Sequence, residues 1–440
     1  MPEAPQQWIA PLAPVPVNAT VTVPGSKSET NRALVLAALS SGPSAITGGL
    51  EARDTALMRD ALRTLGVTIE ENGDVWVVTP PEQFTAGGTI DCGLAGTVMR
   101  FVPPLAALAG GEVGFDGDRQ AYDRPMEPLL GALAALGATV EGDRMALPFM
   151  ISGDPALRGG SVMLDASASS QFVSGLLLIG ARLADGLDLR HQGPSIPSTG
   201  HIGMTVSMLR QRGVRVDDTQ PNRWIVAPGE IKPRDVVIEP DVANAAPFLG
   251  AALLTGGRIA IPRWPSTTGQ PAPQLRAVLE KFGGKVSFQG DSLVVRGRNE
   301  LHGIDIWLND ASELTPVVAA LAALALQSSH IHGVAHIRGH ETDRLAALES
   351  NLDALGARVR QTHDGLIIHP HVLAGISWPT YADHRMVHAG ALLGLVVDEI
   401  TLDDVSCVGK TMPDFVERWQ KMIDDSVAAE QVAGRLDASP

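Results

Sequence analysis

Six short polar clusters carry residue types suited to chemistry: Lys27-Ser28, Gly96-Thr97, Ser169-Ser170-Gln171, Ser312-Glu313, Glu341-Thr342 and His384-Arg385. Each precedes a run rich in Ala and Leu, so each is expected at the start of a helix. Helix N-termini offer unpaired backbone N–H groups and the positive end of the helix dipole, so they favour anions. Several of these ends have Lys or Arg beside them. As a set they predict one site for a highly anionic ligand, which points to phosphate chemistry.

Taken singly, each motif also has a plainer reading as a helix cap or a solvated loop. Lys27 and Arg32 could contact one or two anionic ligands. The same segment is not a phosphate-binding P-loop, because Val21 and Ser26 stand where that pattern needs glycine. Gly96 permits close approach of a ligand to backbone N–H groups. Arg124 precedes Pro125 and so belongs to an extended loop. Ser169, Ser170 and Gln171 offer two hydroxyls and an amide, a set suited to phosphate and hydroxyl recognition. Glu313 beside a substrate hydroxyl could act as a base. His336 and His340 have a metal-like spacing, but Gly339 interrupts a shared helix and no H-E-x-x-H is present. No metal site is expected there.

The elements that must position these groups repeat along the chain. Five times a helix ends at a glycine and a short alternating strand follows: Leu65-Gly66-Val67, Leu136-Gly137-Ala138, Arg212-Gly213-Val214, Phe282-Gly283-Gly284 and Leu355-Gly356-Ala357. The glycine suits the left-handed position that closes a helix. Hairpin signals come next, such as Asn72-Gly73-Asp74, Gln289-Gly290-Asp291 and Asp364-Gly365. The copies recur roughly every 70 residues, too long a period for an ordinary solenoid. Each unit has room for two helices and about four strands. Five visible copies and one degenerate copy make six units, arranged as two domains of three.

The totals fit that reading. A chain of 440 residues exceeds what one core usually serves. Hydrophobic residues make up 45% and charged residues 19%, as in a well-packed globular protein. The net charge of −15 argues against general binding to nucleic acid or anionic membranes, so any anion site must be local. Cys92 and Cys407 are the only cysteines, too few for a disulfide framework, and both read as small buried residues. The apolar run Leu314 to Leu326 is too short to span a bilayer and is expected to be a buried helix. The Pro-rich stretch Met1 to Pro16 lacks the pattern of a signal peptide, and a cytoplasmic location is expected. The tail from Val427 to Pro440 reads as frayed.

Together the segments resemble the 5-enolpyruvylshikimate-3-phosphate synthase family of enolpyruvyl transferases. The matches are Pro24-Gly25-Ser26-Lys27-Ser28 with Asn31-Arg32, Ala95-Gly96-Thr97 with Arg100, Arg124-Pro125, and Ser169-Ser170-Gln171. They continue with Glu341-Thr342-Asp343-Arg344, Asp383-His384-Arg385-Met386, and Lys410-Thr411 with Pro413. They stand in family order over nearly the whole chain. The resemblance implies an α/β fold of two domains, an inside-out α/β barrel, each domain built from three βαβαββ units. It puts residues 27–239 in an inserted domain on the shikimate 3-phosphate side. Residues 1–26 and 240–440 form a discontinuous domain on the phosphoenolpyruvate side, with the active site in the cleft.

The reaction it implies joins phosphoenolpyruvate to the 5-hydroxyl of shikimate 3-phosphate and releases phosphate, with no cofactor and no metal. By resemblance, Lys27, Ser28, Arg32, Ser169, Ser170, Gln171, Ser198, Glu313, His336 and His340 would bind shikimate 3-phosphate. Lys27, Gly96, Arg124, Gln171, Arg344, Arg385 and Lys410 would bind phosphoenolpyruvate. Glu313, Glu341 and Lys27 would be catalytic, with Glu313 the base towards the hydroxyl and Glu341 the donor to the methylene. Four positions depart from the common pattern: Glu313 stands for an aspartate, His336 and Leu94 for asparagines, and His340 for a lysine. The two histidines predict an affinity for shikimate 3-phosphate that varies with pH near neutrality. Glyphosate is an expected inhibitor, because Gly96 leaves room where an alanine methyl would intrude. A monomer is expected.

Two alternatives differ in what they require. The related enzyme acting on UDP-N-acetylglucosamine carries a reactive cysteine before its Arg-Pro pair, whereas 118–123 contains none. A non-catalytic anion-binding protein on the same scaffold need not keep both Glu313 and Glu341.

Overall fold

The computed structural model describes residues 6–265, 267–298 and 300–437, with side chains to 432. The chain forms two compact units, one of Gly25–Glu239 and one of residues 6–24 with Pro240 onward. Each has its own apolar core.

The Gly25–Glu239 unit holds six helices: α1 (Lys27–Ala38), α2 (Arg53–Thr64), α3 (Gly96–Ala106), α4 (Glu127–Ala135), α5 (Ser170–Ile179) and α6 (Gly200–Gln211). Among its described residues the other unit also holds six α-helices: α7 (Val242–Thr255), α8 (Ala272–Lys281), α9 (Thr315–Ala323), α10 (Arg344–Leu355), α11 (His384–Gly394) and α12 (Phe415–Asp437). Alternate helices differ in burial. Every residue of α3, α9 and α11 is buried. The helices α1, α3 and α5 touch one another, as do α7, α9 and α11. Each unit therefore has a core of three mutually packed helices, which are apolar on nearly all faces. The sheets lie outside them, with strands such as Val75–Thr79 alternating between buried and more exposed positions. That arrangement is the inside-out one.

The strand order repeats. In one sheet Thr89–Asp91 runs parallel to Gly111–Asp116, which is antiparallel to Phe149–Gly153, and Thr139–Glu141 completes the edge. Among the described residues five sheets have four strands in this order and a sixth has three, pairing Trp8–Ile9, Thr401–Leu402 and Ser377–Trp378. That short sheet is the degenerate copy. In two sheets the first strand comes from elsewhere in the chain. Val236–Val237 pairs with Ser44–Thr47, and Asn18–Thr20 pairs with Arg258–Ile261.

The five helix-ending glycines, Gly66, Gly137, Gly213, Gly283 and Gly356, all have positive φ, between 83° and 117°. Asn72 pairs directly with Val75 across the Gly73-Asp74 turn. Among the described residues no helix is long and apolar enough to cross a membrane. The tail differs from its composition: α12 continues to Asp437, through most of the segment read as frayed. Its apolar face is held by Phe415, Trp419 and Met422 in the core. Residues 1–5 and 438–440, which belong to the two terminal segments read from composition, lie outside the described residues.

Candidate functional site

In the Gly25–Glu239 unit, Lys27, Gly96 and Ser170 are each the first residue of a helix. Ser26 caps α1 by accepting a bond from Glu29 N at 3.4 Å. Lys27 Nζ lies 3.1 Å from Asp54 Oδ2 on α2, with Lys27 18% and Asp54 3% exposed. Ser28, one residue on, is half-buried, and its carbonyl accepts from Arg32 Nη1 at 2.9 Å. Arg32 is buried among neutral acceptors: Thr205 Oγ1 at 2.7 Å, Ser174 Oγ at 3.3 Å and the His201 carbonyl at 3.2 Å. Burial lowers its pKa to about 9. Ser198 stands at φ 51° just before α6, where its carbonyl accepts from His201 N at 3.0 Å.

Gly96 is the meeting point of a second group. A Cβ added there would stand 3.1 Å from Arg124 Nη2, 3.2 Å from Arg100 Nη1 and 3.2 Å from Gln171 Oε1. Arg124 Nη1 donates to the Leu94 carbonyl at 3.0 Å. Leu94, which lacks the asparagine amide, thus still serves through its backbone. Ser169 caps α5, its hydroxyl accepting from Gln171 N at 3.2 Å. Two guanidinium groups, an amide and a glycine facing one helix start can bind a carboxylate or phosphate.

The other unit gathers a denser cluster. Arg344 is buried and donates to both oxygens of Asp383, at 2.7 and 3.1 Å, and to Glu341 Oε2 at 2.9 Å. Its Nη1 meets His340 Nδ1 at 2.9 Å. Burial alone would lower the Arg344 pKa, but Asp383 and then Glu341 hold it above the usual range. Lys410 pairs with the other oxygen of Glu341. Asp383 also caps α11, accepting from Arg385 N at 2.9 Å. Arg385 donates to Asn244 Oδ1 at 3.1 Å and to Glu313 Oε2 at 3.3 Å. Three cations therefore stand against three carboxylates, of which Glu313 and Glu341 could exchange protons with a substrate held by the cations.

Two of the six polar clusters are not at α-helix starts. Ser312-Glu313 lies on the 3-10 turn Asn309–Leu314, which kinks at Ala311. Pro316 sits in the first turn of α9, where its missing N–H costs nothing, and the α-helix begins at Thr315. Glu341-Thr342 precedes the Asp343 cap of α10. The expected pH response of His336 is also corrected. Its Nε2 meets Ser312 Oγ at 2.8 Å, and burial, then the Arg344 charge, lowers its pKa to about 4. It is neutral at neutral pH. His336 and His340 lie ring to ring at 5.9 Å, edge to face.

Motif reading misses two partners, Asp54 and Asn244, which have no signal in their own surroundings. Asp383 stands in the quoted motif Asp383-His384-Arg385-Met386 but is given no role there. Cys92 is buried, which pushes its thiol up to about 12, and burial likewise raises Cys407. Neither has the character of a reactive thiolate.

A family model described as EPSP synthase (3-phosphoshikimate 1-carboxyvinyltransferase) matches residues 12–419. A 3-phosphoshikimate 1-carboxyvinyltransferase from Mycobacterium ulcerans (strain Agy99) is 51% identical over 427 residues, covering 96% of this chain and 99% of the relative. The solved EPSP synthase of Acinetobacter baumannii shares the fold with a TM-score of 0.78 at 24% identity, covering 95% of this chain and 98% of that one. The enolpyruvyl transferase NikO from Streptomyces tendae does so with a TM-score of 0.71 at 17% identity, covering 95% and 98%.

Proposed function

We infer the function from one premise, that the chain belongs to the EPSP synthase family. It transfers the enolpyruvyl group of phosphoenolpyruvate to the 5-hydroxyl of shikimate 3-phosphate, giving 5-enolpyruvylshikimate 3-phosphate and phosphate. This is a step of the shikimate pathway to chorismate and the aromatic amino acids. The observation that carries the reading is 51% identity sustained over 96% of the chain.

We propose the residue roles as follows. Lys27, Ser28, Arg32, Ser169, Ser170, Gln171, Ser198, His336 and His340 bind shikimate 3-phosphate. Gly96, Arg124, Arg344, Arg385 and Lys410, with Lys27 and Gln171, hold the carboxylate and phosphate of phosphoenolpyruvate. In the addition step the 5-oxygen bonds to C2 of phosphoenolpyruvate and Glu313 takes the hydroxyl proton. Glu341 protonates the methylene, making it a methyl group. In elimination a methyl proton is removed, the double bond re-forms and the C–O bond to phosphate breaks. Lys27 is a third candidate for proton transfer.

Lys410 and Arg344 both pair with Glu341 and favour its carboxylate form, so as donor it must take up a proton in each turnover. After giving up its proton it is a carboxylate with two cationic partners. The contact between Glu313 and Arg385 keeps the proposed base against an anion-binding guanidinium. Glyphosate as an inhibitor, a monomeric state and a cytoplasmic location belong to the same proposal.

The test is phosphate release with each substrate omitted in turn, with and without EDTA. Release that needs both substrates and ignores the chelator is expected. Folded protein that releases nothing would overturn the reading. Tight binding of both ligands without release would favour the binding-protein alternative.

A further inference from the structure

Ser26-Lys27-Ser28-Glu29 has the spacing of a capping box, in which the glutamate carboxylate would reach back to the Ser26 N–H. Here the Ser26 N–H is already taken: it donates to the Glu239 carbonyl at 2.7 Å. The Glu29 carboxylate turns instead to the same residue's amide, accepting from Glu239 N at 2.9 Å. Both backbone groups of Glu239 are thus bonded to the first turn of α1. Glu239 is the last residue of its unit and follows the edge strand Val236–Val237. Just before it, Ile238 N donates to the Thr47 carbonyl at 2.9 Å.

We propose that Glu29 is a positioning residue. It latches the outgoing chain at Glu239 to the start of α1 and so fixes the backbone that presents Lys27 and Ser28 to substrate. The proposal rests on the roles assigned to those two residues above. Glu29 touches no reacting atom in it and acts through the helix end. The charged group facing Glu29 from the outgoing chain is Glu239, and Lys27 on its own helix is paired with Asp54 of α2. Burial, opposed by the bond from Glu239 N and reinforced by the Glu239 charge, raises the Glu29 carboxyl to about 7. Above that pH the latch carries a second negative charge beside a helix end that must receive an anion. Below it the latch is neutral. A glutamine would keep the bond from Glu239 N at every pH and carry no charge.

The experiment compares Glu29→Gln and Glu29→Ala with the parent protein from pH 6 to 8. It measures kcat and the KM for shikimate 3-phosphate, and hydrogen exchange of the peptide containing the Glu239 amide. Glu29→Gln is expected to match the parent at pH 6 and to show a KM about threefold or more lower at pH 8. Glu29→Ala is expected to raise KM about tenfold at both pH values, with kcat less affected and faster exchange at the Glu239 amide. Glu29→Gln with the raised KM and faster exchange expected of alanine, or Glu29→Ala with unchanged exchange and KM, would overturn the latch; a Glu29→Gln profile parallel to the parent's would overturn the charge effect alone. If the parent releases no phosphate the assigned activity fails. The exchange comparison then still decides the latch: it stands if glutamine keeps and alanine loses protection, and it falls otherwise.

Discussion

At the scale of single residues, the proposed chemistry rests on cations held by acids. Lys27 is fixed by buried Asp54, so Lys27→Met should still fold but lose about 1–3 kcal/mol of stability, while losing roughly 100-fold or more in phosphate release. Near-parental turnover in that variant would remove Lys27 from the mechanism. At Gly96 there is no room for a methyl without moving Arg124, Arg100 or Gln171, all within 3.2 Å of its place. Gly96→Ala should raise the KM for phosphoenolpyruvate about tenfold and weaken glyphosate inhibition at least as much. Inhibition curves for the two proteins test this directly. His336 argues from the opposite sign of charge. Its folded pKa of about 4 lies below its ordinary value of 6.5, so between these values the unfolded chain binds the extra proton. Its contribution is present above pH 6.5 and is lost as pH falls towards 4. Replacing it with asparagine should flatten the acid side of the stability curve in urea titrations. The activity profile from pH 6 to 8 should keep its shape.

At the scale of elements, the same glycine closes five helices, yet its neighbours differ. A Cβ on Gly356 would stand 2.5 Å from the Val372 carbonyl oxygen, a backbone atom that cannot yield cheaply, and φ is 117°. A Cβ on Gly213 would meet only the Lys232 methylenes, at 3.3 Å and beyond. Gly356→Ala should therefore lose about 3 kcal/mol of stability and Gly213→Ala about 1 kcal/mol. Equal losses in chemical denaturation would mean that dihedral strain alone sets the cost. The two helix starts that differ from expectation follow the same local logic. Pro316 places the first α-helical turn at Thr315, and the Asp343 cap, accepting from Leu345 N and Ala346 N, places α10 after Glu341. Both carboxylates consequently stand outside regular helix, at sites where the backbone turns.

At the scale of the whole molecule, each unit is closed by a strand that arrives from a distant part of the chain. Val236–Val237 completes the sheet begun at Ser44–Thr47, and Ser26 N lies 2.7 Å from the Glu239 carbonyl oxygen. The two ends of the Gly25–Glu239 unit therefore meet, and its core is its own. Residues 25–239 expressed alone should fold cooperatively, with dispersed amide signals and a helical circular dichroism spectrum. A version ending at 235 loses this short, partly exposed edge strand together with buried Ile238 and the bonds of Glu239 to Ser26 and Glu29, and should be less stable by about 2–4 kcal/mol. Equal stability of the two fragments would show that the closing strand is dispensable.

Much of this was written in local pattern. The 3.6-residue and two-residue periods, the glycines at helix ends and the Asn72-Gly73-Asp74 turn report short-range sterics, so the repeat and its elements are legible without coordinates. The ordered motifs likewise mark which cations and carboxylates gather. Which charge answers which is a different kind of fact. Lys27 and Asp54 are 27 positions apart, Arg344 and Asp383 are 39 apart, and Arg385 and Asn244 are 141 apart. The neutrality of His336 and the raised Glu29 carboxyl follow from burial and from neighbours brought close by folding. Electrostatic energy depends on distance through space and on the surrounding dielectric, neither of which any spacing along the chain encodes. The sequence by itself determined the units and the inventory of reactive groups; the tertiary structure decided their partners, their exposure and hence their charge.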